Sequence, residues 1–547
     1  MDTIKNKKQF VLYIGLIAAI AIILNIALRS IFLRVDLTRN NIYSLSESSQ
    51  TILNKLDDRM VAKVFFSENL PGQYGNTKRY LQDLLEEYQA YSKGRFQFEF
   101  INPTDEEAKR QARSYRIGPV QMQVVQNEEM QVKNVYMGMA LLYNDKTETL
   151  PVIQSTKGLE YDITTAIKKL AEKEMKTIGV VQPSNEINMS VQNLTKFLRQ
   201  TYRVRRVALD KEIPAGIGTL LLCGIEDSLS SDQLYNLDQY LMRGGKLFLG
   251  QGHVIDQLNQ GQGKLIKSNI YDLLQNYGLE IGKDLLIDKN SGRIQIRQQR
   301  GMFSFANAIK YPPFIIINNM NENNPIVKDL EQVRVFFTHE LSPADTSFGF
   351  VPLLRTSDET GSIQPTKLQP SRQQMMMMQQ QGQMPPTGMG YNLQPNMEEA
   401  NYSNPAMTSF PLGSTVVSGL REGPAESYFA DSASYSEKEN FIAENSNVEM
   451  IVITDNKFLN DDRGGGIEED RKFILNSIDY LMGETELMNI RSREISASPL
   501  DDLSTGQKKF WKWLNILLPS ILVLLLGLYR IKKRKDKQNR LEEIYGQ

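Results

Sequence analysis

Two long apolar stretches near the ends of the chain interrupt an otherwise mixed pattern of hydrophobic and polar positions. Residues 10–33 are almost wholly apolar, with Asn25 and Arg29 as the main exceptions, and residues 513–531 form the second stretch. A helix needs about 20 apolar residues to cross a bilayer. The pattern therefore predicts two membrane-spanning helices with a long region of mixed polarity between them.

A cleaved signal peptide is the alternative interpretation of the first stretch. Its apolar core is shorter, about 7–15 residues, and ends at a small-x-small site, which does not follow Leu24 here. We therefore expect a retained anchor. Lysines lie in residues 1–9, and a Lys-Lys-Arg-Lys run begins the tail, residues 532–547. Because basic flanks stay in the cytoplasm, we expect both termini in the cytoplasm of an inner-membrane protein and the bulk of the chain in the periplasm.

The segment after the first span predicts a short amphipathic helix. Ser44 and Glu47 have the S-x-x-E spacing of a capping box, and Leu45, Ile52 and Leu56 follow at helical spacing. The helix is therefore expected to begin at Ser44. It opens the first outer domain, residues 34–176, and connects that domain to the membrane.

The first outer domain shows the order β-α-β-α-β-β-α. The predicted elements are strands at 60–66, 96–100, 120–125 and 134–143, with helices at 78–92, 104–115 and 161–174. That order matches a thioredoxin-like domain, with Pro119 where that fold keeps a cis-proline, although a trans proline opening a strand is the alternative. The loop after the first strand has no Cys-x-x-Cys pair, so thiol–disulfide exchange is not expected.

The second outer domain, residues 177–495, predicts a parallel sheet covered by helices. Short apolar strands alternate with helices, with strands at 177–181, 204–209, 218–224 and 246–250 and helices at 191–201 and 231–242. Residues 358–409 are rich in Gln, Met and Pro, which predicts a disordered insertion. Cu(I) binding by its methionines is the alternative. Residues 496–512 would return the chain to the membrane.

Composition excludes several classes of function. The 547 residues carry a formal net charge of -1, so no overall basic field attracts nucleic acid. Cys223 is the one cysteine, and His253 and His339 are the two histidines. Most zinc and redox sites need more such ligands, so neither a cofactor nor a metal is expected. The chain also lacks a G-x-x-x-x-G-K-[ST] phosphate loop, so it does not itself hydrolyse ATP in the manner of such enzymes.

A few side chains remain as candidates for a pocket. His253 follows the strand at 246–250, His339 ends an apolar strand that begins at Val333, and Asp455 ends the strand at 448–455. The carboxyl ends of strands are where α/β proteins bind ligands. Ordinary hydrogen-bonded or turn-capping roles are the alternative for all three, and Cys223 has the setting of a buried strand-end thiol.

The order of several short motifs resembles the auxiliary ABC-transporter proteins of the GldG-like, gliding-motility family. The juxtamembrane part of that resemblance is carried by Asp36, Thr38, Tyr43, Ser44, Leu45 and Ser46. Later matching pieces are Leu237–Leu241, Gly244–Lys246, Val452–Asp455 and Ile490–Arg493.

The resemblance implies a glutamine-amidotransferase-like second domain and a non-catalytic accessory or substrate-binding subunit. Its partners would be a separate ABC permease and ATPase. The two predicted spans add the lipid bilayer as a partner, and because two spans are too few to build a translocation pathway in one copy, a homodimer is a further option. An envelope hydrolase or transferase that uses the amidotransferase-like domain is the alternative.

Overall fold

The computed structural model describes most of residues 44–493 and three short helical segments after residue 510. The described ranges are 44–68, 70, 72–126, 129–172, 174–257, 261–300, 303–328, 330–344, 348–368, 389–393, 409–493, 510–515, 517–518 and 526–535. The chain divides into two units, residues 1–495 and 496–547. The predicted first span lies outside the described residues, as does much of the second. Among the residues that are described, no helix is both long and apolar enough to cross a membrane.

The first domain is a four-stranded sheet covered by helices. Its helices are α1 (Glu47–Asn54), α2 (Gly72–Tyr91), α3 (Glu106–Ser114) and α4 (Leu159–Ala171). Its strands are β1 (Met60–Phe66), β2 (Phe96–Ile101), β3 (Val120–Gln126), β4 (Glu129–Val135), β5 (Met137–Tyr143) and β6 (Lys146–Leu150). The sheet order is β2-β1-β5-β6, in which β1 and β2 are parallel and the other pairs are antiparallel.

The predicted strands at 120–125 and 134–143 take different places from those expected. β3 pairs with β4 in a separate two-stranded ribbon, and the predicted strand at 134–143 divides between β4 and β5. The division falls at Tyr136, whose backbone exchanges hydrogen bonds with Ser67 at the end of β1. Pro119 follows a trans bond, because the described residues contain no cis peptide.

The second domain is built on an eight-stranded sheet. Its strands from β7 to β10 are β7 (Thr177–Val181), β8 (Arg203–Val207), β9 (Ile217–Cys223) and β10 (Lys246–Gly250). The sheet also contains β16 (Asn319–Met320), β19 (Gly349–Arg355), β23 (Val416–Glu426) and β24 (Glu444–Ile453). Its order is β16-β19-β23-β24-β10-β9-β7-β8, and the five strands from β24 to β8 are parallel. The parallel sheet that the apolar runs predict is confirmed.

Helices and smaller sheets surround this large sheet. The helices are α5 (Gln192–Leu198), α6 (Ser231–Met242), α7 (Ile270–Asn276), α8 (Ala433–Ser436), α9 (Glu468–Leu481) and α10 (Thr485–Arg493). The smaller sheets contain β11 (Val254–Gln257), β12 (Gln262–Leu265), β13 (Leu279–Asp288), β14 (Ser291–Arg300), β15 (Phe303–Ile317), β17 (Val333–Phe336), β18 (His339–Pro343), β20 (Thr360–Ile363), β21 (Thr366–Lys367) and β22 (Met389–Asn392). The whole is a mixed α/β protein.

Two predictions about the middle of the second domain are wrong in detail. His339 does not end the strand that begins at Val333, because Phe337 adopts a φ of 53° and divides the run into β17 and β18. Residues 360–363, expected in the disordered insertion, pair instead with β13. The remaining Gln- and Met-rich stretches, 369–388 and 394–408, lie outside the described residues.

Two main hydrophobic cores underlie the two domains. Residues of the large sheet and its helices form one core, and residues from Leu45 to Leu170 form most of the other. The second of these cores also contains Leu487 and Ile490 from α10, at the far end of the second domain. The chain therefore returns to the first domain after completing the second.

We expect Gly224→Ala to destabilise the second domain. Gly224 follows β9 with a φ of 74°, and a Cβ there would lie 2.1 Å from the carbonyl oxygen of Asn188. The strained backbone and the clash together should lower the free energy of unfolding by at least about 2 kcal/mol. Urea unfolding of the detergent-solubilised chain measures this. Gly216→Ala is the matched control, since no atom lies within 4 Å of its added Cβ, and equal losses in the two variants would contradict the prediction.

Candidate functional site

The segment predicted to leave the membrane is fixed to the first domain by two buried glutamates. The backbone N–H of Ser46 donates to Oε1 of Glu160 at 2.9 Å, and the hydroxyl of Ser49 donates to the same oxygen at 2.7 Å. The N–H of Leu45 donates to Oε2 of Glu87 at 3.4 Å. Both glutamates are almost fully buried. Because an unpaired buried carboxylate is costly, these contacts hold the segment in one position.

The predicted capping box is wrong in its position. Helix α1 begins at Glu47, and its N-cap is Ser46, whose hydroxyl accepts the N–H of Ser49 at 3.1 Å. Ser44 precedes the helix rather than starting it. Ser46 takes the capping role expected of Ser44, and its own N–H, which in a capping box would bond to a side chain of the same helix, donates instead to Glu160 of helix α4.

Helix α10 packs against α1 and α4. Leu487 and Ile490 of α10 are fully buried in the core of the first domain, and burying each such side chain contributes about 1.5–3 kcal/mol. Lys55, just after α1, forms a 2.9 Å ion pair with Glu486 of α10. We call this three-helix arrangement of α1, α4 and α10 the connector joint. It brings together the segments that begin and end the described part of the first unit.

Arg491 lies at the centre of the connector joint and is buried there. Its guanidinium donates to Oδ2 of Asp479 at 2.8 Å, to Oδ1 of Asn476 at 2.7 Å and to the hydroxyl of Tyr161 at 2.8 Å. Tyr202 donates to the other oxygen of Asp479 at 2.6 Å. Burial lowers the pKa of Arg491, but Tyr161 and Asp479 outweigh that effect and raise it overall. One side chain of α10 thus joins both domains.

A second set of ion pairs stabilises the same region. Lys168 of α4 and Lys176 both bond to Glu484, which directly precedes α10. Burial opposes the charged form of Lys168, yet Glu484 raises its pKa. Since Lys176 ends the first domain and Glu484 belongs to the second, this group ties the domain boundary to the return helix.

The structure describes only part of the juxtamembrane motif. Asp36, Thr38 and Tyr43 lie outside the described residues. Leu45 is buried in the first core, Ser46 caps α1, and Ser44 is half-buried beside them. The described part of the motif therefore holds the segment before α1 against the first domain.

Sequence reasoning missed Glu87 and Glu160 and gave no role to Arg491 beyond its place in a motif. The available signal was a charged residue on an apolar helix face. Glu87 lies among Leu84, Leu85 and Tyr88, and Glu160 shares a face with Ile163. A charge at such a position needs a buried partner, but the sequence does not say which partner it has.

The two histidines meet at the carboxyl ends of the central strands. The ring centroids of His253 and His339 are 5.3 Å apart, and His253 also stacks on Tyr271 at 4.0 Å. Nε2 of His253 lies 3.1 Å from the carbonyl oxygen of Ile281, and Nδ1 of His339 lies 3.0 Å from that of Asp284. Burial lowers the pKa of both rings, that of His339 most strongly. Both are therefore neutral at physiological pH.

Asp455 and Cys223 have ordinary structural partners. The carboxylate of Asp455 accepts the N–H of Phe336 at 2.9 Å and that of Lys457 at 3.0 Å, and burial raises its pKa to about 6. The thiol of Cys223 lies 3.5 Å from Oδ1 of Asn460, and burial raises its pKa. A raised pKa disfavours the reactive thiolate. Within the described residues, no group of three or more His, Cys, Asp or Glu side chains is arranged to hold a metal.

The place where this kind of sheet usually binds a ligand is filled by its own chain. The strand order reverses between β7 and β9, and ligands of α/β proteins bind outside the carboxyl ends at such a point. Here the segment 184–190 covers it: the N–H of Asn188 donates to the carbonyl of Gly224, and the N–H of Ser190 donates to Oδ1 of Asn460. This segment leaves little room for a substrate beside Cys223.

We expect Arg491→Met to destabilise the chain by about 3–5 kcal/mol, because it leaves the carboxylate of Asp479 buried without its cation. Urea unfolding of the solubilised chain gives the free energy. The double variant R491M/D479N removes both charges while keeping an acceptor for Tyr202, and should lose less stability than R491M alone. A double variant as unstable as the single one would show that the ion pair does not matter.

The buried histidines should make the chain less stable in acid. Unfolded histidine has a pKa near 6.5, and burial lowers the pKa of His339 in the folded state, so the unfolded chain binds protons first as the pH falls below that value. Unfolding free energies at pH 7.5 and 5.5 should therefore differ less in H339Q than in the wild type. The raised pKa of Asp455 acts in the opposite direction, so D455N should enlarge the loss on acidification. Identical pH dependence in H339Q and wild type would contradict this.

Several known proteins resemble this chain. An uncharacterized protein of Borreliella burgdorferi is 20% identical over 563 residues, covering 98% of this chain and all of that protein. Among solved structures, the mmIFT52 N-terminal domain matches 56% of this chain and 97% of its own length at 15% identity, with a TM-score of 0.31. The exo-beta-1,4-mannosidase Op5Man5 from an Opitutaceae bacterium matches 57% of this chain and 45% of its own length at 14% identity, with a TM-score of 0.19.

Two sequence families match consecutive parts of the chain. A domain of unknown function, DUF7088, matches residues 39–142 and thus most of the first domain. The family described as an ABC-type uncharacterized transport system matches residues 175–477, which is more than half of the chain. This protein therefore belongs to the ABC-type uncharacterized transport system auxiliary family.

Proposed function

We propose that this chain is a non-catalytic accessory subunit that couples an ABC permease and its ATPase to an outer, substrate-binding part. The family match supports a role in ABC transport. The observation that carries the coupling proposal is the connector joint, in which α10 packs against α1 inside the core of the first domain. A movement of the segment before α1 or of the segment after α10 would therefore reach the same joint.

The contacts of the joint define the path of coupling. The segment at Leu45 and Ser46 is bonded to Glu87 and Glu160 of the first domain, and Arg491 joins α10 to Asp479 of the second. These contacts are buried, and buried, closely packed groups transmit displacement rather than absorb it. Neither domain can shift at the joint without breaking charged hydrogen bonds.

The proposal includes two membrane spans, at residues 10–33 and 513–531, with both termini in the cytoplasm and the bulk of the chain in the periplasm. The apolar lengths and basic flanks of the sequence support this arrangement. A place in gliding motility rests on the resemblance of the juxtamembrane and later motifs to GldG-like proteins. Association as a homodimer rests on the number of spans, because two are too few to build a translocation pathway in one copy. The missing phosphate loop supports a separate ATPase partner.

We also infer a thioredoxin-like first domain and an amidotransferase-like second domain. The order β2-β1-β5-β6, with β1 and β2 parallel, supports the first, with the β3–β4 ribbon as an insertion. The parallel block from β24 to β8 supports the second. A non-catalytic role for that domain is supported by the raised pKa of Cys223 and by the segment that covers the strand ends beside it.

The test loosens the connector joint without touching either proposed span. In the variant E87A/E160A, the segment at Leu45 and Ser46 loses both of the buried carboxylates that hold it. We therefore expect the subunit still to co-purify with its permease and ATPase, but we expect the coupling free energy between the subunit and the ATPase to fall by about 1–3 kcal/mol. The measurement is the change in ATPase rate that the subunit produces in the complex reconstituted in nanodiscs.

The matched control is E47A/E86A, which removes two exposed carboxylates, one on α1 and one on α2. It should behave as the wild type. Full coupling in E87A/E160A, with the variant folded and bound to its partners, would refute the proposal.

A further inference from the structure

Five exposed basic side chains lie on the strand at the outer edge of the large sheet and on the segment that precedes it. Residues 187–209 contain no Asp or Glu, although the chain as a whole is nearly neutral. The basic side chains in this stretch are Lys196, Arg199, Arg203, Arg205 and Arg206, and all of them are exposed. We call these five side chains the basic edge. None of them forms an ion pair with another described residue.

The basic edge follows strand β8, whose backbone is paired on one side. β8 ends the order of the sheet and pairs in parallel with β7 from Arg203 to Val207. Its other side therefore presents N–H and C=O groups to which a further strand can bond. Successive side chains of a strand point to opposite faces, which places Arg203 and Arg205 on one face of the edge and Arg206 on the other.

A cleft adjoins this edge and offers a place for a side chain. It has a volume of about 560 Å³ and is lined by Lys196, Phe197 and Arg471, among others. The guanidinium of Arg471 stacks over the ring of Phe197 at 3.9 Å, and Phe197 is 36% exposed. The cleft thus combines two cations with one accessible aromatic ring, and the carboxylate of Asp461, which also lines it, accepts the N–H groups of Asn193 and Leu194.

We propose that the basic edge binds an extended, acidic segment of a partner protein, which adds to the large sheet as a strand beside β8. Backbone groups of the edge would supply the hydrogen bonds, and carboxylates spaced two residues apart would meet Arg203 and Arg205 on one face. Each opposite-charge pair across strands contributes about 0.2–1 kcal/mol, so charge selects the partner and the backbone supplies much of the affinity.

Charge on an edge strand also has a protective effect, because it keeps uncharged or basic strands of other chains from pairing there. This effect and the proposal are compatible, since the same arginines that repel a basic strand favour an acidic one. A bilayer fits less well. Lipid headgroups do not complete a row of backbone N–H and C=O groups, and the large exposed apolar side chain at this edge, Phe197, lies beneath an arginine.

The test uses the full chain in nanodiscs of zwitterionic lipid and two capped peptides, one of alternating glutamate and valine and one of alternating lysine and valine. Hydrogen exchange of the amides at 203–207 reports strand addition. We expect the glutamate peptide to slow exchange there and the lysine peptide to have no effect. The variant R203E/R205E/R206E should lose at least about tenfold in affinity for the glutamate peptide and bind the lysine peptide instead.

The control variant R59E/R110E/R116E changes the net charge equally at exposed positions of the first domain, and should bind the glutamate peptide as the wild type does. Unchanged exchange at 203–207 with the glutamate peptide would overturn the proposal, as would equal protection by both peptides. Slowed exchange in anionic-lipid nanodiscs without peptide would also overturn it and assign the surface to the membrane.

Discussion

The packing of helix α10 against α1 is the interaction on which the arrangement of the first unit depends. Leu487 and Ile490 of α10 complete the core of a domain that ended more than 300 residues earlier. Arg491 then fixes the angle of the helix, because three separate groups accept its donors. Apart from this packing and Arg491, the two domains are joined by the chain itself, by the ionic group at Glu484 and by the ion pair between Lys157 and Glu468. With the packing of α10, the beginning and the end of the unit form one joint.

The large sheet explains why the second domain can serve as a rigid body beyond that joint. The parallel strands β7, β9 and β10 are buried on both faces, and the segment 184–190 is bonded over the carboxyl end of β9. In related architectures that position is open to ligands. Because the segment 184–190 occupies this position, contacts with other molecules fall to the outer surfaces, such as the basic edge along β8.

The sequence predicts the local elements well and the long-range pairings poorly. Strands at 177–181 and 246–250 and the helix at 231–242 lie where their apolar patterns predict them, because a buried strand or an amphipathic helix is determined by neighbouring residues. The start of α1 was misplaced because Ser46, whose N–H is bonded to Glu160 over 100 residues away, caps the helix in place of Ser44. The division after Val333 depends on one backbone angle at Phe337. The partners of Arg491 likewise lie on two other helices, α4 and α9, which no spacing in the sequence brings together.

Native-state hydrogen exchange of the full chain in nanodiscs tests the joint most directly. If α1 and α10 form one cooperative unit, the amides of Glu47–Asn54 and Thr485–Arg493 should open with the same free energy, and R491M should lower both by the same amount. If the exchange data showed that α10 opens independently of α1, or that R491M affects α10 alone, they would contradict the claim that α1 and α10 move as one unit.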